Sequence, residues 1–231
     1  MKEILEKLKN SIPRYVTKQP STGINVTFRP FTVKEEKHLL MVKQTGEYKD
    51  FLSTITNIIN NCFDLGVDAK KLPMFDIEYF FIKLRSKSIG EIVQPTIICP
   101  VTKEKINIMI NLDEIEPVVS NTNFQIKVSD EIIVNMRYPS IDFLIKNGTE
   151  DLYETALSCI ESIETKDYKI ENSDISKTEF LEFIDLMTNE QFMKILDFIK
   201  NIPKIEKEIK YKTSDKVERK LKLKGIRDFF Q

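Results

Sequence analysis

The sequence predicts an α+β fold that is mostly helical, with separate antiparallel β-hairpins and two similar halves from an internal duplication. Apolar residues recur at helical spacing in several segments, which indicates amphipathic helices. Three capping boxes mark where helices begin. Alternating apolar residues on both sides of short polar turns indicate hairpins rather than a large parallel sheet.

Composition sets the broad class. The chain has 231 residues, of which 41% are hydrophobic and 31% charged, so it can bury a core without disulfides or metals. Its net charge of −1 provides no global attraction to nucleic acid or to an anionic membrane. The three cysteines are odd in number and no signal peptide precedes them, so we expect a reduced, intracellular protein. No apolar run approaches the length of a membrane span.

The elements expected in the first half run in a simple order. They are a helix at 2–10, a strand at 24–28, a helix at 33–43, a helix at 47–62, a helix capped by Asp76 and ended by Gly90, and a hairpin at 92–112. The clearest signal is Thr32-Val-Lys-Glu35, because this capping box satisfies amide groups at the start of a helix.

The second half shows a comparable order. The expected elements are strands at 124–128 and 132–136, a short helix after Ser140, helices at 150–162, 177–187 and 189–200, and a hairpin joining 205–211 to 217–223. Ser176-Lys-Thr-Glu179 and Thr188-Asn-Glu-Gln191 are the second and third capping boxes.

One phrase occurs near the start and is echoed later. Residues 24–40 contain Phe28-Arg29-Pro30-Phe31-Thr32, and residues 132–145 contain Met136-Arg137-Tyr138-Pro139-Ser140. Both predict a strand, a proline, a hydroxyl residue and then a helix. The echo predicts two domains, 1–118 and 119–231, each with a helical part and a hairpin. Coincidence is the alternative, since helical periodicity alone would imitate much of the match.

The sequence lacks the usual signatures of catalysis. His38 is the only histidine, so no catalytic triad can be built around a second candidate. Six scattered glycines form no phosphate-binding loop. A hydrolase that uses two of the 36 acidic residues is an open alternative, and it would require a deep pocket with perturbed carboxyl groups. We therefore expect no enzyme, no catalytic residue, no small-molecule substrate and no cofactor.

Cys99-Pro100-Val101-Thr102 lies at a turn where a zinc knuckle would place Cys-x-x-Cys. Thr102 is not a soft ligand, and the last hairpin, from Tyr211 to Ser214, contains no cysteine. Structural zinc needs four nitrogen or sulfur ligands. We expect no metal site, and hairpins held by apolar packing alone.

Two features of the C-terminal part suggest contacts with a partner. Residues 204–224 hold nine Lys or Arg against four acids, so this hairpin is either a solvated face or a small nucleic-acid-binding module. Phe229 and Phe230 either fold back onto the hairpin or anchor the chain in a partner groove.

Several phrases resemble the baseplate hub protein family of T-even-type contractile-tailed bacteriophages. They are Phe28 to Lys37, Leu72 to Glu91, Met136 to Ser140, and Gly225 to Phe230. The resemblance implies a protein that takes part in assembly of the central hub, as a hub component or an assembly chaperone, in the host cytoplasm or the virion baseplate. The implied partners are hub proteins, and self-association is an open alternative. The candidate interface residues are Arg29, Phe31, Tyr138, Phe229 and Phe230.

Overall fold

The computed structural model describes residues 1–118, 122–148 and 151–229. It confirms the α+β class, with α-helices and small antiparallel sheets. The α-helices are Lys2–Asn10 (α1), Val33–Thr45 (α2), Tyr48–Cys62 (α3), Met74–Ser88 (α4), Ile141–Asn147 (α5), Leu152–Cys159 (α6), Lys177–Asp185 (α7), Asn189–Lys200 (α8) and Gly225–Phe229 (α9).

The strands are all short apart from the last pair. They are Tyr15–Lys18 (β1), Asn25–Phe28 (β2), Ile92–Val93 (β3), Thr96–Ile98 (β4), Lys105–Asn107 (β5), Ile110–Asn111 (β6), Pro117–Val118 (β7), Gln125–Lys127 (β8), Ile133–Met136 (β9), Ile160–Glu164 (β10), Lys169–Glu171 (β11), Lys204–Lys212 (β12) and Glu218–Lys224 (β13). No helix in the described ranges has both the length and the apolar character needed to cross a bilayer.

The chain forms two compact units that do not follow chain order. The first unit contains Met1–Ala69, Phe75–Val118 and the described residues from Lys204 onward. The second contains Lys70–Met74 and the described residues between Val119 and Pro203. The final hairpin therefore groups with the N-terminal part, whereas the sequence prediction placed it in 119–231. The prediction that 1–118 and 119–231 are duplicated halves stays a prediction.

In its described residues, the first unit combines helices α2, α3 and α4 with four small sheets. Strands β1 and β2 pair antiparallel, with Tyr15 opposite Phe28, and β12 lies between β13 and β7. Aromatic rings link the elements: Phe63 lies 4.7 Å from both Phe28 and Phe80, measured between ring centroids. The largest fully buried side chains of this unit include Phe75, Ile55, Ile59, Ile77, Ile82, Leu84, Leu112, Ile115 and Phe229.

The second unit places helices α6, α7 and α8 against a four-stranded sheet. The strand order is β11-β10-β9-β8, and all neighbours are antiparallel. The core of this unit consists of apolar residues from the sheet and the three helices, among them Val134, Met136, Ala156, Cys159, Phe180, Ile195 and Phe198.

Several expected elements match closely. The helix at 2–10 is confirmed, and all three capping boxes are present. The side chain of Ser140 accepts from the backbone N–H of Phe143 at 3.2 Å and so caps α5, as expected. These signals are local, because cap residue and helix lie within four positions of each other.

Other expectations were wrong. The helix expected at 150–162 ends at Cys159, because residues from Ile160 onward form β10 against β9. Asp76 does not cap the third helix, which begins at Met74; its carboxylate instead accepts hydrogen bonds from Ser21 and Gln19. The hairpin expected at 92–112, by contrast, is confirmed, and its arms pair as two short antiparallel ladders, β3 with β6 and β4 with β5.

The echoed phrase makes the same backbone contacts in both units. The backbone N–H of Arg29 donates to the carbonyl oxygen of Cys62, the last residue of α3, at 3.0 Å. The backbone N–H of Arg137 donates to the carbonyl oxygen of Cys159, the last residue of α6, at 2.7 Å. In each unit the residue before the arginine also pairs antiparallel with the residue after the cysteine.

Candidate functional site

One concave surface of the first unit is an open groove of about 680 Å³. It is formed by the C-terminal part of α2, the start of α3, the middle and end of α4, the segment that includes β3, and α9. Apolar side chains dominate the lining, among them Leu39, Leu40, Phe51, Phe81, Ile89 and Ile92. Leu40 and Ile89 are each 57% exposed, so the groove presents apolar surface to solvent.

The turn between α2 and α3 sets one side of the groove. Gly46 ends α2 with a φ of 77°, a left-handed conformation that favours glycine. The chain then reverses into α3, where Tyr48 and Phe51 line the groove. The Phe51 ring meets the Phe81 ring of α4 edge to face at 6.3 Å. The turn at Gly46 therefore fixes α2 next to α3, and the contact between the Phe51 and Phe81 rings fixes α3 against α4.

Basic side chains lie among the apolar ones. Among the described residues, Lys43, Arg85 and Arg227 line the groove together with Glu47. The Arg227 guanidinium lies over the Tyr48 ring, 4.9 Å from its centroid, which is a cation–π distance. Arg85 donates to the carbonyl oxygen of Gly90 at 2.8 Å. The described lining of the groove therefore combines apolar side chains with basic ones.

Helix α9 forms one end of the groove and is fixed to α4 by a buried carboxyl group. Glu78 is 6% exposed and accepts a hydrogen bond from the backbone N–H of Ile226 at 3.2 Å. Burial raises the pKa of Glu78 to about 7, and the Ile226 N–H opposes part of that rise. Gly225 has a φ of 65°, and a Cβ atom there would lie 2.7 Å from Oε1 of Glu78. The sequence requires glycine at this point for both reasons.

Of the predicted interface residues that the structure describes, only Phe229 lines this groove. Its ring is 1% exposed, so it has folded back, which is one of the two arrangements considered for it. Phe230 lies outside the described residues.

Arg29 and Phe31 lie elsewhere in the first unit, at the strand-to-helix junction. Arg29 forms an ion pair with Glu35 at 2.8 Å, and the backbone N–H of Phe31 donates to the Ser88 hydroxyl at 3.0 Å. Burial would raise the pKa of Glu35, but hydrogen bonds from Arg29 and Thr32 outweigh it and lower the pKa to about 2. These contacts give both residues a structural role at the junction.

Tyr138 belongs to the second unit. Its ring stacks on Phe198 at 5.9 Å and meets Phe124 edge to face at 5.1 Å. The three rings form one cluster in which Tyr138 is half-buried. Its position as a partner contact therefore stays a prediction.

Cys99 links the 92–112 hairpin to the final hairpin, which consists of β12 and β13. The Tyr211 hydroxyl lies 3.5 Å from the Cys99 sulfur, and the backbone N–H of Thr102 donates to the same sulfur at 3.4 Å. Burial raises the pKa of this thiol, but these hydrogen bonds outweigh it and lower the pKa to about 6. The Ser214 hydroxyl and backbone N–H also bind Glu104. The expectation that apolar packing alone holds the hairpins was therefore wrong.

Charges on the final hairpin are largely paired. Lys222 meets Glu206 at 2.7 Å and Lys220 meets Glu208 at 2.8 Å, both across the strands. This pairing favours a solvated hairpin face over a nucleic-acid-binding surface. Within the described ranges, no three His, Cys, Asp or Glu side chains come together as a possible metal site.

Sequence reasoning missed the groove as a site. Its lining comes from segments as far apart as Leu39 and Phe229, and no spacing rule joins them. The available signal was a run of apolar residues next to a lysine, as at Leu39 to Lys43.

Comparison with known proteins identifies a family. The sequence model of a family described as T4 bacteriophage base plate protein matches residues 12–231. No curated protein and no solved structure matches the chain.

Proposed function

Because the chain belongs to the T4 bacteriophage base plate protein family, we propose that it helps to build the central hub of the phage baseplate. Membership assigns the chain a structural or assembly role in the baseplate of the phage tail. The proposal goes further: the chain contacts hub proteins during construction in the host cytoplasm, either as a hub component or as an assembly chaperone. It acts by protein–protein contact and without enzymatic turnover.

The family match over residues 12–231 carries this proposal. The groove supports it, because exposed apolar patches on soluble domains mark interaction surfaces. Leu40, Ile89 and Ile92 would be covered when a hub protein binds there.

The first experiment deletes the coding sequence from the phage and supplies the chain in trans. We expect the deletion to stop assembly before a complete baseplate forms, and the wild-type chain to restore it. Electron microscopy of lysates and the infectious titre report the outcome. Normal infectious tails from a clean deletion would contradict the proposal.

The second experiment tests the groove. Leu40→Ser combined with Ile89→Ser removes exposed apolar side chains from its lining, and we expect complementation to fall strongly. Ile98→Ser combined with Val101→Ser is the matched control, since both residues are exposed in the same unit but lie outside that lining. If the two variants complement the deletion equally well, the groove is not required for assembly.

Mass spectrometry of purified virions distinguishes the two forms of the proposal. Detection of the chain in finished particles supports a hub component. Its absence from particles that require it for assembly supports a chaperone.

A further inference from the structure

Two arginines hold matching places in the two units. The backbone N–H groups of Arg29 and Arg137 each donate to the cysteine that ends a helix. Their guanidinium groups match as well. Arg29 donates to the carbonyl oxygen of Asn61 at 3.2 Å, Arg137 donates to that of Ser158 at 3.2 Å, and both acceptors immediately precede the cysteine. Each guanidinium is therefore held at the end of a helix by the same kind of contact.

The residue that neutralises the arginine is present in only one of these two places. In the first unit, the third residue of α2 is Glu35, and its carboxylate pairs with the Arg29 guanidinium at 2.8 Å. In the second unit, the third residue of α5 is Phe143, which carries no charge. Among the described residues, no carboxylate pairs with Arg137, which donates instead to the Asn172 side-chain oxygen at 3.1 Å.

Arg137 lines a pocket of about 680 Å³ in the second unit, which we call the Arg137 pocket. Its described lining also includes Lys71, Tyr138, Phe143, Asn172 and Lys177. Lys177 forms an ion pair with Glu154, another lining residue. Within the described ranges, neither Lys71 nor Arg137 has a carboxylate partner. The pocket therefore presents two cations without an internal counter-charge, next to aromatic side chains.

The open shape of the pocket suits a side chain of another protein better than a free small molecule. Small-molecule pockets enclose about 70–90% of a ligand's surface. Here Lys71, Arg137 and Lys177 are all exposed. A planar guanidinium binds both carboxylate and phosphate groups through charge-assisted hydrogen bonds. The pair of Arg29 with Glu35 favours carboxylate, because it is the group that a guanidinium held in this way accepts within the same chain.

We infer that the Arg137 pocket binds an Asp or Glu side chain of a partner protein, in the place that Glu35 takes beside Arg29. No described residue lines both this pocket and the groove of the first unit. The inference therefore goes beyond the proposed function, and it holds whichever protein supplies the carboxylate.

Nuclear magnetic resonance of the full-length protein tests the pocket directly. The probe is the peptide acetyl-Gly-Glu-Gly-amide at about pH 6, where its carboxylate is ionised. Its control has Gln in place of Glu. The Glu peptide should shift the Arg137 side-chain Nε signal in a saturable way and bind about tenfold tighter than the control. The Arg29 signal should not move, because Glu35 already occupies that guanidinium. Arg137→Met and Arg29→Met assign the two signals.

A carboxylate supplied by the chain itself tests whether a partner uses the pocket. Phe143→Glu completes a capping box with Ser140 and places a carboxylate beside Arg137, as Glu35 does in the first unit. Phe143→Gln is the matched control, since it completes the same capping box without a charge. Phe143→Glu should abolish the peptide-induced shift of the Arg137 signal.

Phage complementation then measures the effect of the same variants on assembly. Phe143→Glu should lower the infectious titre about tenfold or more relative to Phe143→Gln, because the partner carboxylate is both displaced and repelled. Arg137→Met, which keeps the Phe143 ring, should lower the titre in the same way. Circular dichroism confirms that each variant is folded.

Three outcomes would overturn the inference. The first is an Arg137 signal that does not shift, or that shifts equally with both peptides. The second is a larger shift with inorganic phosphate than with the Glu peptide, which would make phosphate the ligand. The third is equal complementation by the two Phe143 variants.

The deletion experiment separates this inference from the proposed function. If the deletion blocks assembly but the Glu peptide does not bind, the assembly role stands and the carboxylate inference fails. If the deletion leaves normal infectious tails, the proposed function fails, and the peptide titration alone decides whether the Arg137 pocket binds a carboxylate.

Discussion

Glu78 on α4 accepts a hydrogen bond from the backbone N–H of Ile226 on α9, 148 positions later in the chain. The carboxyl group is buried, and its pKa rises from 4.5 to about 7. The folded protein therefore holds the Glu78 proton more tightly than the unfolded chain does. Folding stability should fall as the pH rises from 4.5 to about 7, because the folded state must then bury a charge.

Replacing this carboxyl group tests the pH effect. Glu78→Gln keeps an oxygen that accepts from Ile226 but has no charge, so it should remove a penalty of about 3 kcal/mol above neutral pH. Urea unfolding at about pH 5 and about pH 8 should show a smaller pH dependence for the variant than for the wild type. If the free energy of unfolding changes with pH equally in the variant and the wild type, Glu78 does not titrate in this range.

A second prediction concerns Gly225. Gly225→Ala places a Cβ atom 2.7 Å from Oε1 of Glu78 at a φ of 65°, so it should destabilise the protein by about 3 kcal/mol. Gly66→Ala is the matched control, since Gly66 has a φ of 70° and open space around it, and it should cost about 1 kcal/mol. Thermal unfolding compares the two. If Gly225→Ala and Gly66→Ala lose equal stability, the Glu78 side chain moves aside to make room for the new Cβ atom.

Arg29 and Arg137, which occupy the same position in the echoed phrase, should contribute differently to folding stability. Arg29 neutralises Glu35, whose side chain is 9% exposed, so Arg29→Met should cost about 2–3 kcal/mol by leaving a buried carboxylate unpaired. Arg137 is exposed and contacts the Ser158 carbonyl and the Asn172 amide, so Arg137→Met should cost less than about 1 kcal/mol. Chemical denaturation of both variants measures the difference, and equal costs would contradict this reading of the Arg29–Glu35 pair.

Asp76 gives a fourth prediction. It is fully buried, and its carboxylate accepts from the Ser21 backbone N–H at 2.9 Å, the Ser21 hydroxyl at 2.5 Å and the Gln19 side chain at 2.9 Å. Asp76→Ala leaves those donors unsatisfied and should cost about 3 kcal/mol or more.

The control for Asp76→Ala removes only one of the donors. Ser21→Ala takes away the hydroxyl and should cost about 1 kcal/mol. Hydrogen exchange of the Ser21 to Ile24 turn should rise sharply in the Asp76 variant and little in the control. Unchanged exchange in both would show that Asp76 does not fix this turn.

The sequence was sufficient where the determinants are local. Thr32 with Glu35, Ser176 with Glu179, and Thr188 with Gln191 each mark a helix start within four residues. The sequence was not sufficient for elements that depend on contacts between distant residues. Residues from Ile160 pair with β9, which ends a helical pattern early, and α9 depends on Glu78 far back in the chain.

The dependence on distant contacts also explains why the sequence did not identify the groove. Arg29 and Tyr138 are conspicuous in sequence because they sit in an echoed phrase, yet the structure gives Arg29 an ion pair and Tyr138 an aromatic cluster. The groove depends on five separate segments that only folding brings together. The matched contacts of Arg29 with Cys62 and of Arg137 with Cys159 support the proposal of an internal duplication.

The placement of β12 between β7 and β13 affects the order of events during translation. The first unit begins at the N-terminus, but it gains the middle strand of this sheet only after the whole second unit has been synthesised. The second unit can therefore fold on the ribosome while the first still waits for its last segments, the reverse of the usual N-terminal-first sequence.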